Sequence, residues 1–181
     1  MDTLIWVAVV VVAIVAIAAV AYVVVQQQRR ARLRDRFGPE YERTLAEHDN
    51  KREAEQELLA REQRHADLDI RPLSEESRGD YVNRWAEVQE HFVDAPEPAV
   101  NEADRLVTAV MAERGYPTDD FRQRIADLSV GHAETLTHYR KAHEISERAS
   151  RKEASTEDLR QAMVHYRALF EELLHETTRG R

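Results

Sequence analysis

Hydrophobic and polar positions alternate with three different rhythms along this chain. From Leu4 to Val25 there are 22 consecutive uncharged residues, nearly all Val, Ala or Ile, with Trp6 and Tyr22 near the two ends. At 1.5 Å per residue such a helix is about 33 Å long, enough to cross a hydrocarbon core of roughly 30 Å. β-branched residues are mediocre helix formers in water, but in lipid the backbone must satisfy its own hydrogen bonds, which leaves helix as the outcome. Aromatic residues at the ends suit the headgroup layer.

The second rhythm is almost entirely polar. Gln26 to Arg36 has no helix breaker and extends the apolar helix to Phe37-Gly38-Pro39. Tyr41 to Leu68 is rich in Glu, Arg, Gln and Ala, which favour helix, and Pro39 suits a first helical turn. The sparse apolar residues here do not hold one face, and Asn50 with Glu53 marks a cap and a break at Asp49-Asn50. A coiled coil would need sustained apolar heptads, so the expectation is a solvated stalk or a loosely docked helix.

The third rhythm is amphipathic and helical. After Arg71-Pro72, Ser74 is a cap candidate, and Tyr81, Trp85, Val88 and Phe92 share one helix face. Asp94 to Pro98 reads as a short connector, followed by Ala99, Ala103, Leu106, Val107 and Val110, with Gly115 as the C-cap. Thr118 or Asp119 can cap a helix presenting Phe121, Ile125 and Leu128, which ends near Gly131. The next stripe is His132, Leu136, Tyr139 and His143. Ser155 with Asp158 then caps a helix carrying Leu159, Met163, Tyr166, Phe170 and Leu173.

The fold class expected is therefore all-α: an N-terminal transmembrane helix, a charged helix and a multi-helix bundle. Residues 1–3 form a short extracytoplasmic N-terminus, 4–25 the transmembrane helix, 26–36 a basic juxtamembrane segment, 37–70 a charged helical stalk, 71–174 the bundle and 175–181 a C-terminal tail.

Charge sets the expected orientation. Arg29, Arg30, Arg32, Arg34 and Arg36 follow the span, whereas only Asp2 and the amino terminus precede it. The positive-inside rule puts the C-terminal bulk in the cytoplasm, as a single-pass protein of the cell membrane. The same five arginines form a candidate membrane-surface patch, because each basic residue near anionic lipid is worth about 1 kcal/mol. The alternative is a secreted chain cut after Ala19-Val20-Ala21; the missing basic n-region and the long apolar run oppose it. From Phe37 onward there are 21 basic and 32 acidic residues, a net charge of −11, which disfavours nucleic acid as a partner.

Candidate chemistry is thin. There is no cysteine, which excludes disulfides, thiolate metal sites and cysteine nucleophiles. Phosphate-loop, dinucleotide, serine-hydrolase and zinc-protease motifs are missing, and no cofactor is indicated. Paired acids such as Glu75-Glu76 and Glu157-Asp158 sit at helix starts, where they favour the helix dipole. His132 and His143 fall on an apolar face but lie about 16 Å apart by helical rise, so they cannot share one metal. A ligand or enzymatic pocket would be assembled from Trp85, His132, Tyr139, His143 and Tyr166. The tripeptides His138-Tyr139-Arg140 and His165-Tyr166-Arg167 repeat 27 residues apart, as a duplicated helix would.

Four strings stand out: Ala103-Asp104-Arg105-Leu106-Val107, Arg114-Gly115-Tyr116-Pro117, Ala126-Asp127-Leu128-Ser129-Val130, and Ser155 through Met163. Together they resemble a group of uncharacterised bacterial proteins, seen especially in actinobacteria, over roughly residues 37–174. The resemblance implies a shared helical domain behind an N-terminal hydrophobic segment. It carries no catalytic or binding residue, and some members of the group are labelled secreted. The leading expectation is a membrane-tethered helical interaction module, in contact with the bilayer and with a protein partner or itself. The alternative is a small-ligand-binding or enzymatic domain using the pocket above.

Overall fold

The computed structural model describes residues 2–175, and among them there are eight α-helices and no strand. Met1 and residues 176–181, which include most of the expected tail, lie outside the described residues. The chain divides into two compact units, Met1–Leu58 and Leu59–Arg181.

In the first unit, α1 (Asp2–Phe37) runs unbroken through the apolar segment and the arginines. It ends where Gly38 turns at φ 46, and Pro39 opens α2 (Pro39–Glu47). α3 (Lys51–Asp67), which belongs to this unit as far as Leu58, begins after Asn50, whose Oδ1 accepts the Arg52 amide at 2.9 Å. The stalk is less solvated than expected: Phe37, Tyr41, Thr44, Ala54 and Leu58 are all buried. The break at Asp49-Asn50 resets the helical phase, so residues that scatter around one long cylinder are each inward-facing on two short ones.

The second unit is the bundle of α4 (Glu75–Asp94), α5 (Pro96–Arg114), α6 (Phe121–Gly131), α7 (Ala133–Ser150) and α8 (Thr156–His175). α5 packs on α4, α7 and α8, and α7 packs on α6 and α8. α4 and α5 are antiparallel, since Tyr81 Oη donates to Glu113 at 2.9 Å while His91 meets Glu102 at 3.0 Å. α7 and α8 are antiparallel too: Arg148 binds Asp158 near the turn, and His132 reaches Glu172 at the far end.

Helix ends follow local chemistry. Ser74 Oγ accepts the Ser77 amide at 3.0 Å. Ser155 Oγ accepts the Asp158 amide at 3.1 Å while the Asp158 carboxylate accepts the Ser155 amide at 2.8 Å, a reciprocal box at the start of α8. Gly115 sits at φ 97 and the Tyr116 amide reaches back to the Met111 carbonyl, the left-handed ending that glycine favours. A Cβ at Gly115 would also run into the Asp69 carbonyl, so glycine is required twice over.

Two boundaries differ from expectation. The connector between α4 and α5 is Ala95 alone, because Pro96 and Pro98 occupy the first turn of α5, where their missing N–H groups cost nothing. The cap of α6 is Asp120, accepting the Gln123 amide at 2.9 Å, in place of Thr118 or Asp119. All five residues of the α8 stripe are buried, as are Tyr81, Trp85 and Val88 on α4. Offset stacking of Trp85 on Phe170, centroids 4.7 Å apart, joins the two faces and is worth about 0.5–1.5 kcal/mol beyond burial.

Candidate functional site

The residues proposed for one pocket fall in three places. Tyr139, His143 and Tyr166 come together around Asp104. Tyr166 Oη donates to Asp104 Oδ1 at 3.0 Å, linking α8 to α5. The Tyr139 ring meets Tyr166 edge-on with centroids 6.2 Å apart, and Phe121 stacks on His143 at 3.6 Å. Arg124 lies over the Phe121 and Tyr139 rings and donates to Thr108 Oγ1 at 2.7 Å. His143 Nδ1 is buried without a hydrogen-bond partner, and Tyr139 Oη is buried beside Thr108 and Arg124.

Burial and the Asp104 charge push both phenols above their ordinary value of 10.0, so Tyr139 and Tyr166 stay protonated. Burial pulls His143 below 6.5, against the opposing pull of Asp104 and Glu147, and favours its neutral form. Both tyrosine rings have no exposed surface. The group therefore joins helices through a charge-assisted bond, for which about 1.5–3 kcal/mol is typical.

His132 belongs to a second cluster. Its Nδ1 lies 2.7 Å from Glu172 Oε1 and its Nε2 lies 3.1 Å from Tyr116 Oη. The chain carboxylate, imidazole, phenol ties the α6–α7 junction to α8 and to the turn after α5. Beside it, the buried Arg114 donates to the Leu173 carbonyl at 3.0 Å and faces the Tyr116 ring. Such a line can pass a proton along its own length, but each member is spent on holding an element in place.

Trp85 stands apart, in a shallow groove of about 200 Å³ between α4 and α8, with Phe92, Met163 and Val164 along it and Arg160 and Arg167 at its rim. None of the other four candidate residues lines that groove. Trp85 and His132 thus lie apart from the group of Tyr139, His143 and Tyr166.

The arginines that follow the apolar segment are also partly engaged by the protein itself. Arg30 Nε pairs with Glu55 Oε1 at 3.1 Å, and the same oxygen accepts Tyr41 Oη at 3.1 Å. Arg34 pairs with Glu42 at 2.8 Å and lies over the Tyr41 ring. Arg32 and Arg36 also have partners, and Arg29 is exposed. Acids from α2 and α3 thus offset part of the positive field that the linear sequence presents, and the arginines pin those helices to the end of α1.

In the sequence Asp104 and Tyr116 stand out only within the strings that carry the resemblance and Glu172 only within a pair of acids, and Arg124 carries no signal. Asp104 flanks the stripe through Ala103 and Val107, and the half-buried carboxylate there takes its partner from Tyr166. Comparison of the chain with protein-family profiles, with curated proteins and with solved structures gives no match.

Proposed function

We propose that this chain is a single-pass membrane protein that holds a helical bundle at the cytoplasmic face, where the bundle works by docking a protein partner or a second copy of itself. The observation that carries the anchor is the exposure of an unbroken apolar helix: its large side chains from Trp6 to Val25 range from 44% exposed at Val24 to 70% at Trp6. Apolar side chains all round a helix that no protein covers call for lipid as solvent. The apolar run carries on through Val23, Val24 and Val25 beyond Ala19-Val20-Ala21 and is longer than that of a usual leader, which supports an anchor in place of a cleaved leader.

Five arginines after the span support the cytoplasmic side for the bundle. Docking is favoured over catalysis because the candidate rings are absorbed into packing, while Val82, Val93 and Val164 stand at least half exposed on α4 and α8. The resemblance to the actinobacterial-type group fits the same plan of a helical domain behind a hydrophobic segment. A C-terminal fusion to fluorescent protein and, separately, to alkaline phosphatase tests the topology. Fluorescence with inactive phosphatase is expected. Active phosphatase on a chain shortened by about 21 residues overturns both anchor and compartment.

A further inference from the structure

The histidines of the repeated tripeptides meet in space. His138 on α7 and His165 on α8 face each other with Nδ1 to Nδ1 2.9 Å apart, ring centroids 5.1 Å apart and planes inclined by 42°. Their register is fixed from both sides, by the Tyr139–Tyr166 contact and by the Arg148–Asp158 pair near the turn. His138 is exposed and His165 half-buried, so solvent reaches the pair.

We propose that His138 and His165 form a two-imidazole site for a borderline divalent transition metal, copper(II) or nickel(II), which clasps α7 to α8. Imidazole suits these ions, and copper(II) and nickel(II) favour square or tetragonal arrangements of nitrogen and oxygen. Two nitrogens each about 2.0–2.1 Å from one metal lie about 2.9 Å apart at right angles and about 3.3 Å apart at a tetrahedral angle. The spacing found is that of two adjacent corners of a square or octahedron. Among the described residues no third histidine or acid joins them, so water fills the remaining positions.

In the metal-free protein one Nδ1–H donates to the other Nδ1. On binding, both Nδ1 lone pairs go to the metal and the donor's proton moves to its Nε2, with no net proton released from the neutral pair.

The test uses the full chain in detergent micelles with copper sulfate or nickel chloride as the probe. Equilibrium dialysis should give one metal per chain, copper electron paramagnetic resonance should show two equivalent imidazole nitrogens, and the melting temperature should rise with metal concentration. Loss of even an outer partner typically weakens a metal site about 10 to 100-fold, so His138→Ala and His165→Ala should each weaken binding at least that much. His138→Gln repeats the test with a polar side chain kept at the surface, and circular dichroism checks that each variant is folded. His91→Ala, at the separate pair with Glu102, should leave binding unchanged. Binding that survives His165→Ala and His138→Gln, or a copper spectrum without two nitrogens, overturns the site and leaves a plain hydrogen bond between two imidazoles.

Discussion

α1 and α8 are both long helices rich in large apolar residues, yet they present them in opposite ways. In α1 the apolar residues from Trp6 to Val25 cover every face, and the large ones are about half exposed or more. In α8 they form one stripe in which Leu159, Met163, Tyr166, Phe170 and Leu173 are each 8% exposed or less, while Arg160, Arg167 and Glu171 take the opposite side. A stripe is the mark of a helix between water and a protein core; apolarity all round is the mark of a helix whose surroundings are apolar on all sides. α8 is thus a helix between water and a protein core, while α1 has the composition of a helix for apolar surroundings, as a membrane anchor or a signal sequence has.

The sharpest way to break this contrast is to damage each helix by the rule of its own solvent. Phe170→Ala removes a buried ring stacked on Trp85 and should cost about 3–5 kcal/mol, a large share of the roughly 5–15 kcal/mol typical of a domain. A thermal melt that matches the parent would mean that the α8 face is not core. Val15→Arg places a charge in the middle of the apolar segment, where exchanging Val for Arg makes insertion less favourable by about 3–4 kcal/mol. The carbonate-resistant membrane fraction should fall while the melt of the bundle stays unchanged. An unchanged fraction would remove lipid from the account of α1.

Smaller effects separate the helices further. Ser155→Ala deletes the reciprocal cap of α8 and should cost about 0.5–2 kcal/mol, read as a lower urea midpoint with unchanged slope. The smallest expected effect is of pH. Burial lowers both His143 and His165 from 6.5, against the pull of Asp104 and Glu147 at His143 and together with neighbouring His138 and Lys141 at His165. The unfolded chain takes up protons near 6.5 while the folded chain resists, so this stability is present above 6.5 and lost as pH falls below it. The bundle should melt at lower temperature at pH 5 than at pH 7.5. Membrane retention should not change, because no charged residue lies between Leu4 and Val25. Equal melting at the two pH values would contradict the lowered values of His143 and His165.

Much of this contrast was legible in the linear pattern because both rhythms are local. The stripes from Tyr81 to Leu173 are buried as read, apart from residues at the margins such as Phe92, Phe121 and His143. The Ser74 and Ser155 caps and the Gly115 ending were legible for the same reason: each depends on a few neighbouring residues. Thr118, Asp119 and Asp120 are all cap-competent, and only packing selects Asp120. Burial of Tyr41, Ala54 and Leu58 was hidden by the break at Asp49-Asn50. The Tyr166–Asp104 and His132–Glu172 bonds span 62 and 40 residues, beyond any local period. The tripeptide repeat pointed to His138 and His165, but the antiparallel hairpin of α7 and α8 is what brings them face to face.

The claim that α1 is an anchor holding the bundle in the cytoplasm has one direct test, made simple by the lack of native cysteine. Val93, 80% exposed on α4, accepts a Val93→Cys substitution as a lone label site. A membrane-impermeant maleimide should leave this cysteine unmodified in intact cells and modify it in inverted membrane vesicles, on a full-length chain that sediments with the membrane. Labelling from outside intact cells, or on a shortened chain in the soluble fraction, would contradict it.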